Sequence, residues 1–133
     1  MIPPFEERGW LPSGIHAATL VEIEARFGRQ SELRRVQMES VRWMIDLARR
    51  VGVQRIVLNG SFVTDIMEPN DVDCLLLIGT GPTIDQAAEG ELLKGLPFLD
   101  ILLVRQQEFE YFVNRFFAVD RSWSAKGMVE VIR

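Results

Sequence analysis

The stretch Leu58–Ile78, LNGSFVTDIMEPNDVDCLLLI, decides the fold: it leaves one apolar strand, turns at a glycine and enters another. The second strand, VDCLLLIG, is bound for a core, yet Asp71 and Asp73 stand one residue apart at its mouth. Aspartate is depleted in strands, and unpaired charge beside an apolar interior is costly. Side chains at i and i+2 share a face, so the two carboxylates are neighbours, roughly 7 Å apart at Cα, while Val72 and Cys74 face the other way. Carboxylates this close repel, which raises one pKa or calls for a cation between them. A hard divalent ion, Mg2+ or Mn2+, meets that need with a few carboxylate oxygens, water and substrate phosphates. A turn ending at a wet strand end leaves the same Asp-x-Asp, so the pair alone decides little.

The preceding turn adds to it. Gly60 and Ser61 follow the first strand, where the chain has to reverse and start a short helix. Glycine lets backbone approach a ligand closely, and the first N–H groups of a helix favour anions. Ser61 is placed either to cap that helix or to offer its hydroxyl to a phosphate oxygen. In LPFLDILLV, Asp100 is the lone polar side chain of an apolar strand, which a neighbouring strand carrying Asp71 and Asp73 would explain. A helix from about Thr83 to Lys94 then serves as the crossover that lays this third strand beside the second.

Working outward, Thr19 and Glu22 have capping-box spacing for a helix from about Leu20 to Phe27, stopped at Gly28. A longer helix spans about Ser31 to Arg50. Its expected buried stripe is Leu33, Val36, Ser40, Met44, Leu47 and Val51, and its expected solvated face includes Arg34, Arg35 and Arg42. RIVL (55–58) reads as the first strand, residues 107–117 as a helix, and KGMVEVIR as a last, alternating strand. Residues 1–18, rich in Pro and Gly, read as an irregular N-terminal arm. The expectation is one α/β (α+β) domain over residues 1–133, a small mixed β-sheet with helices packed on it.

Composition agrees. The 133 residues suffice for one core, with 47% hydrophobic and 26% charged side chains. A net charge of −4 argues against binding long DNA, which wants a basic face. No secretion signal and no membrane span are read in the sequence. The single cysteine, Cys74, suits a reducing cytoplasm.

Gly-Ser after an apolar strand, nine residues (Phe62 to Asn70), Asp-x-Asp and a later lone Asp together resemble the nucleotidyltransferase superfamily that includes DNA polymerase beta. The small size resembles its minimal branch, often found in bacterial toxin–antitoxin pairs. LPSGIHAAT, NGSFVT…PNDVD and FF…DR…KGMVEV also look like an uncharacterised family of small bacterial proteins assigned to this fold. The resemblance implies that Gly60 and Ser61 hold a triphosphate, with ATP the favoured nucleotide. Asp71, Asp73 and Asp100 would bind divalent ions, and Asp100 would help deprotonate the attacking hydroxyl. The implied reaction moves a nucleoside monophosphate to a protein or RNA end, with a toxin-like protein as partner and an oligomer compatible with it. The pattern also departs from the family: Phe62-Val63-Thr64-Asp65 stands where an Arg-Gly pair is expected, and the helical substrate domain of larger relatives is missing.

That departure keeps a second expectation open: a catalytically silent, antitoxin-like or regulatory module acting by contact. His16 and Cys74 read as packed residues rather than ligands. Trp10, Trp43, Trp123, Phe109, Phe112, Phe116 and Phe117 read as core, and Arg105, Arg121 and Lys126 as surface charge within range of a phosphate.

Overall fold

A computed structural model describes residues 1–79, 81, 85–116 and 126–132. Five strands form one mixed sheet: β1 (Gly14–Thr19), β2 (Arg55–Asn59), β3 (Val72–Leu77), β4 (Leu99–Val104) and β5 (Gly127–Ile132). Their spatial order is β1-β5-β2-β3-β4. The β1–β5 and β3–β4 pairs are parallel, and β2 runs antiparallel to both of its neighbours. The described residues also form four helices: α1 (Leu20–Phe27), α2 (Glu32–Val51), α3 (Gln86–Lys94) and α4 (Gln106–Tyr111), the last running into one π turn, Phe112–Phe116. This is the expected α+β domain, and α3 is the crossover that brings β4 alongside β3.

The helix ends follow the local chemistry. Thr19 and Glu22 form the reciprocal capping box of α1. Ser31 caps α2 by accepting the Arg34 N–H, and Gly52 closes it in the left-handed conformation that a residue with a β-carbon resists. Asp85 caps α3 through the Ala88 N–H. The α3 start expected at Thr83 lies outside the described residues.

Two cores lie on opposite faces of the sheet. One gathers Ile23, Phe27, Met38, Val41, Met44, Leu58, Cys74 and Leu76 with the helices α1, α2 and α3. The other is smaller and sets Val57, Leu75, Leu77, Val104 and Met128 against Phe109 and Val113. Alternation along each strand sends Leu58, Cys74 and Leu76 to the first face and Val57, Leu75 and Leu77 to the second.

Three expectations need correction. Residues 1–18 are not wholly an irregular arm: Gly14–Thr19 is an edge strand paired in register with β5. The α2 stripe is displaced, with Val36 at 41% exposure and Arg34 at 2%, so one expected core residue is outside and one expected surface charge is inside. Trp43, expected in the core, is 51% exposed. Trp123 and Phe117 lie outside the described residues.

Candidate functional site

The segment after β2 hangs from one side of α2. Ser31 donates its hydroxyl to the Met67 carbonyl at 3.0 Å, and Gln37 donates its amide to the Pro69 carbonyl at 2.6 Å. Between them the Arg34 guanidinium donates to Phe62 O (2.7 Å), Thr64 O (2.8 Å) and Ile66 O, and also to Phe27 O in α1. Residues three apart lie on one helix face, so 31, 34 and 37 form a row that grips the carbonyls of 62–69. Arg34 has no carboxylate partner in these bonds, and burial pushes its pKa down while the Asp65 charge pulls it up. On the other side the chain is held by the Asp65 N–H bond to Gly9 O and by a bridge between Trp10 and Thr64.

This mooring sets Gly60. Its φ of +80° and ψ of −164° belong to a region essentially reserved for glycine. A β-carbon there would overlap the Asp73 carboxylate, so backbone and carboxylate touch. One 3-10 turn, Ser61–Val63, follows instead of the expected short helix. Gly60 is its first cap, and no side chain caps it. The turn is therefore too short to bring a helix dipole, and Ser61 does not cap it.

Register then assembles the acidic row. Asn59 on β2 pairs with Asp73 on β3, and Asp73 pairs with Asp100 on β4. Directly paired residues point to the same face, and neighbouring strands lie about 4.8 Å apart. Asn59, Asp73 and Asp100 therefore form a line across three strands, on the face of the smaller core. Asp73 is half-buried, whereas Asp100, on an edge strand, and Asp71, just ahead of β3, are exposed. Burial raises the Asp73 pKa most, the Asp100 charge raises it further, Lys126 lowers it and Asp71 adds a smaller rise. Of the cations named from the sequence, Lys126 faces this row. Arg105 donates to Gly79 O beyond the far end of β3, and Arg121 lies outside the described residues.

Asp73, Asp100 and Gly60 are thus brought together, with Asp71 and Ser61 at the rim. Among the described residues, no three His, Cys, Asp or Glu side chains are drawn together as a metal site. His16 Nε2 donates to Pro12 O at 2.6 Å, and Cys74 is buried on the opposite face with its thiol pKa pushed up by burial, as packed residues should be. Two residues escaped the sequence reading. Arg34 was taken for surface charge. Asn59, one residue past the expected end of the first strand, carried no expectation, but it belongs to β2, is 1% exposed and has no hydrogen-bond partner for either amide atom. Leaving such a group unmet costs about 1–3 kcal/mol.

Residues 3–132 match DUF6932, a family of unknown function. The chain belongs to DUF6932. No curated protein and no solved structure matches it. The acidic row and the Gly60 turn both lie inside the span matched to DUF6932.

Proposed function

We propose that this DUF6932 chain is a metal-dependent nucleotidyltransferase that moves a nucleoside monophosphate from an NTP, ATP being favoured, to a hydroxyl of a protein or RNA acceptor, with pyrophosphate leaving. The observation that carries the reading is the register pairing of Asp73 with Asp100 while the Gly60 backbone presses on the Asp73 carboxylate. Two repelling carboxylates, one of them desolvated, form an all-oxygen donor set that fits Mg2+ or Mn2+, with phosphates and water filling the other positions. Bound there, the metal would supply charge neutralisation at the α-phosphate and a stronger nucleophile. The chain's own part is positioning. Asp73 and Asp100 hold ligands from two adjacent strands, and Asp71 adds charge at the rim. Gly60 leaves room for a triphosphate beside them, with the Ser61 hydroxyl at hand. Lys126 balances charge from the third side, and Asp100, the most exposed of the strand-borne acids, takes the proton of the attacking hydroxyl. A reducing cytoplasm, with Cys74 as a free thiol, suits this reading. The described helices include none long and apolar enough to cross a membrane.

A second reading, a module acting by contact with a toxin-like partner, is favoured by one observation. Phe62, Val63 and Thr64 are buried, so the segment where the resembling enzymes place Arg-Gly presents no basic side chain.

One titration separates the two. ATP with Mg2+ or Mn2+ is titrated calorimetrically into wild type and Asp73→Asn, then α-labelled ATP is offered with a protein or RNA acceptor. Binding and label transfer by wild type, both lost in Asp73→Asn, support the enzyme. Absence of binding by all four NTPs, with partner neutralisation intact in Asp71→Asn/Asp73→Asn, overturns it in favour of the contact module.

A further inference from the structure

Asn59 is the group that the reaction above leaves unused. It ends β2, it is 1% exposed, and both its Oδ1 and Nδ2 lack a partner, so exchanging the two amide atoms changes nothing. Folded chains rarely leave a buried amide wholly unmet, and where they do a ligand or ordered water completes it. Its direction is known: pairing with Asp73 places it on the shared face, in line with Asp73 and Asp100. The backbone beyond it turns at once, because Gly60 takes a conformation closed to other residues. The amide is therefore held at the end of a strand whose hydrogen bonds fix it against β3.

We infer that the Asn59 side-chain oxygen is the third protein ligand of a hard divalent-cation site whose other two ligands are Asp73 and Asp100. The inference rests on reading the acidic row as a cation site. It differs from the expectation of Asp71, Asp73 and Asp100 by moving the third ligand from the exposed rim to the buried end of the row. Hard divalent ions accept amide carbonyl oxygens alongside carboxylates, and a neutral third ligand adds no repulsion to an already crowded pair. The amide nitrogen then remains free to donate to a phosphate oxygen or to a metal-bound water.

The test uses Mn2+ alone with the full chain, read by calorimetry and by the cation-induced rise in melting temperature. Wild type binds. Asn59→Leu, nearly isosteric, lowers the affinity by about tenfold or more, as ligand-shell losses do. Without metal it melts about 3 °C higher than wild type, because an unmet buried amide is gone. Asn59→Asp binds Mn2+ more tightly than wild type, and Asp71→Asn changes the affinity by less than about threefold, since an exposed rim charge contributes little. If Asp73→Asn abolishes Mn2+ binding while Asn59→Leu leaves it unchanged, the cation site stands and the role given to Asn59 is wrong. If wild type binds no Mn2+, the cation reading itself fails. If Asp71→Asn loses binding while Asn59→Leu retains it, the third ligand is at the rim.

Discussion

Two polar side chains are buried within a few residues of the same loop, and the chain treats them in opposite ways. Arg34 brings a full charge into the interior and finds backbone carbonyls for its donors, among them those of Phe27, Phe62, Thr64 and Ile66. Asn59 brings only a neutral amide, and nothing in the fold meets it. The larger cost was met with partners and the smaller one was left open. Gln37 stands between the two, donating to Pro69 O while its Oε1 goes unmet, whereas at Asn59 both amide atoms are without a partner. Asp73 belongs with Asn59: its charge is desolvated and crowded by Asp100, and Lys126 offsets only part of that rise.

The heaviest blow to this contrast is aimed at Arg34. Arg34→Leu strips several buried carbonyls of their donor at once and should lower unfolding free energy by about 3 kcal/mol or more, read by urea denaturation. Arg34→Lys should recover little of it, since an ammonium cannot span the fork of acceptors. A loss below about 1 kcal/mol in Arg34→Leu would mean that the loop holds itself and the contrast is false. Next comes Gly60→Ala, which combines a disfavoured φ with overlap against Asp73. A loss of about 1–3 kcal/mol is expected, together with loss of ATP–Mg2+ binding.

Smaller, but opposite in sign, is Asp73→Asn. The folded protein holds the Asp73 proton more tightly than the unfolded chain, whose ordinary value is 3.8. The stability it contributes is therefore fully present below that value and is lost as pH rises through the higher folded pKa. With chelator present, the wild-type melting temperature should fall relative to Asp73→Asn as pH is raised from 3.5 through the folded pKa. A difference that stays flat, or that grows in the other direction, would show that Asp73 is a satisfied carboxylate. The least effect is expected at Arg55–Glu130, a two-pronged but partly exposed pair bonded at 2.8 and 2.6 Å. Glu130→Gln should cost about 1 kcal/mol or less in the same assay, because solvent screens it.

Most of the fold was legible because periodicity and punctuation agreed. β3 announced itself as an apolar run, α1 by its capping box, and α2 by its recurring Met44, Leu47 and Val51 between Ser31 and Gly52. β1 was hidden by the prolines and glycines around it. It pairs on one side only, so GIHAAT needed no strong alternation to hold its place. The strand order depends on pairings far apart in sequence, which no local pattern carries. The site was half legible. Asp73 and Asp100 stood out as acids in apolar strands, and their register is what the crossover through α3 produces. Arg34 was hidden because charge was read as exposure, although its spacing with Gln37, Met38 and Val41 marks the buried side. Asn59 was hidden because a single amide ahead of a glycine carries no periodic signal of burial, and the strand was expected to end one residue earlier, at Leu58.

The sheet order has a consequence for biosynthesis. β5 fills the gap between β1 and β2, so on the ribosome those two strands wait, with open edges, for a partner translated long after either. Until β5 emerges, the nascent chain passes through a stage in which a slot with two open strand edges is exposed to chaperones or to the β5 of another copy.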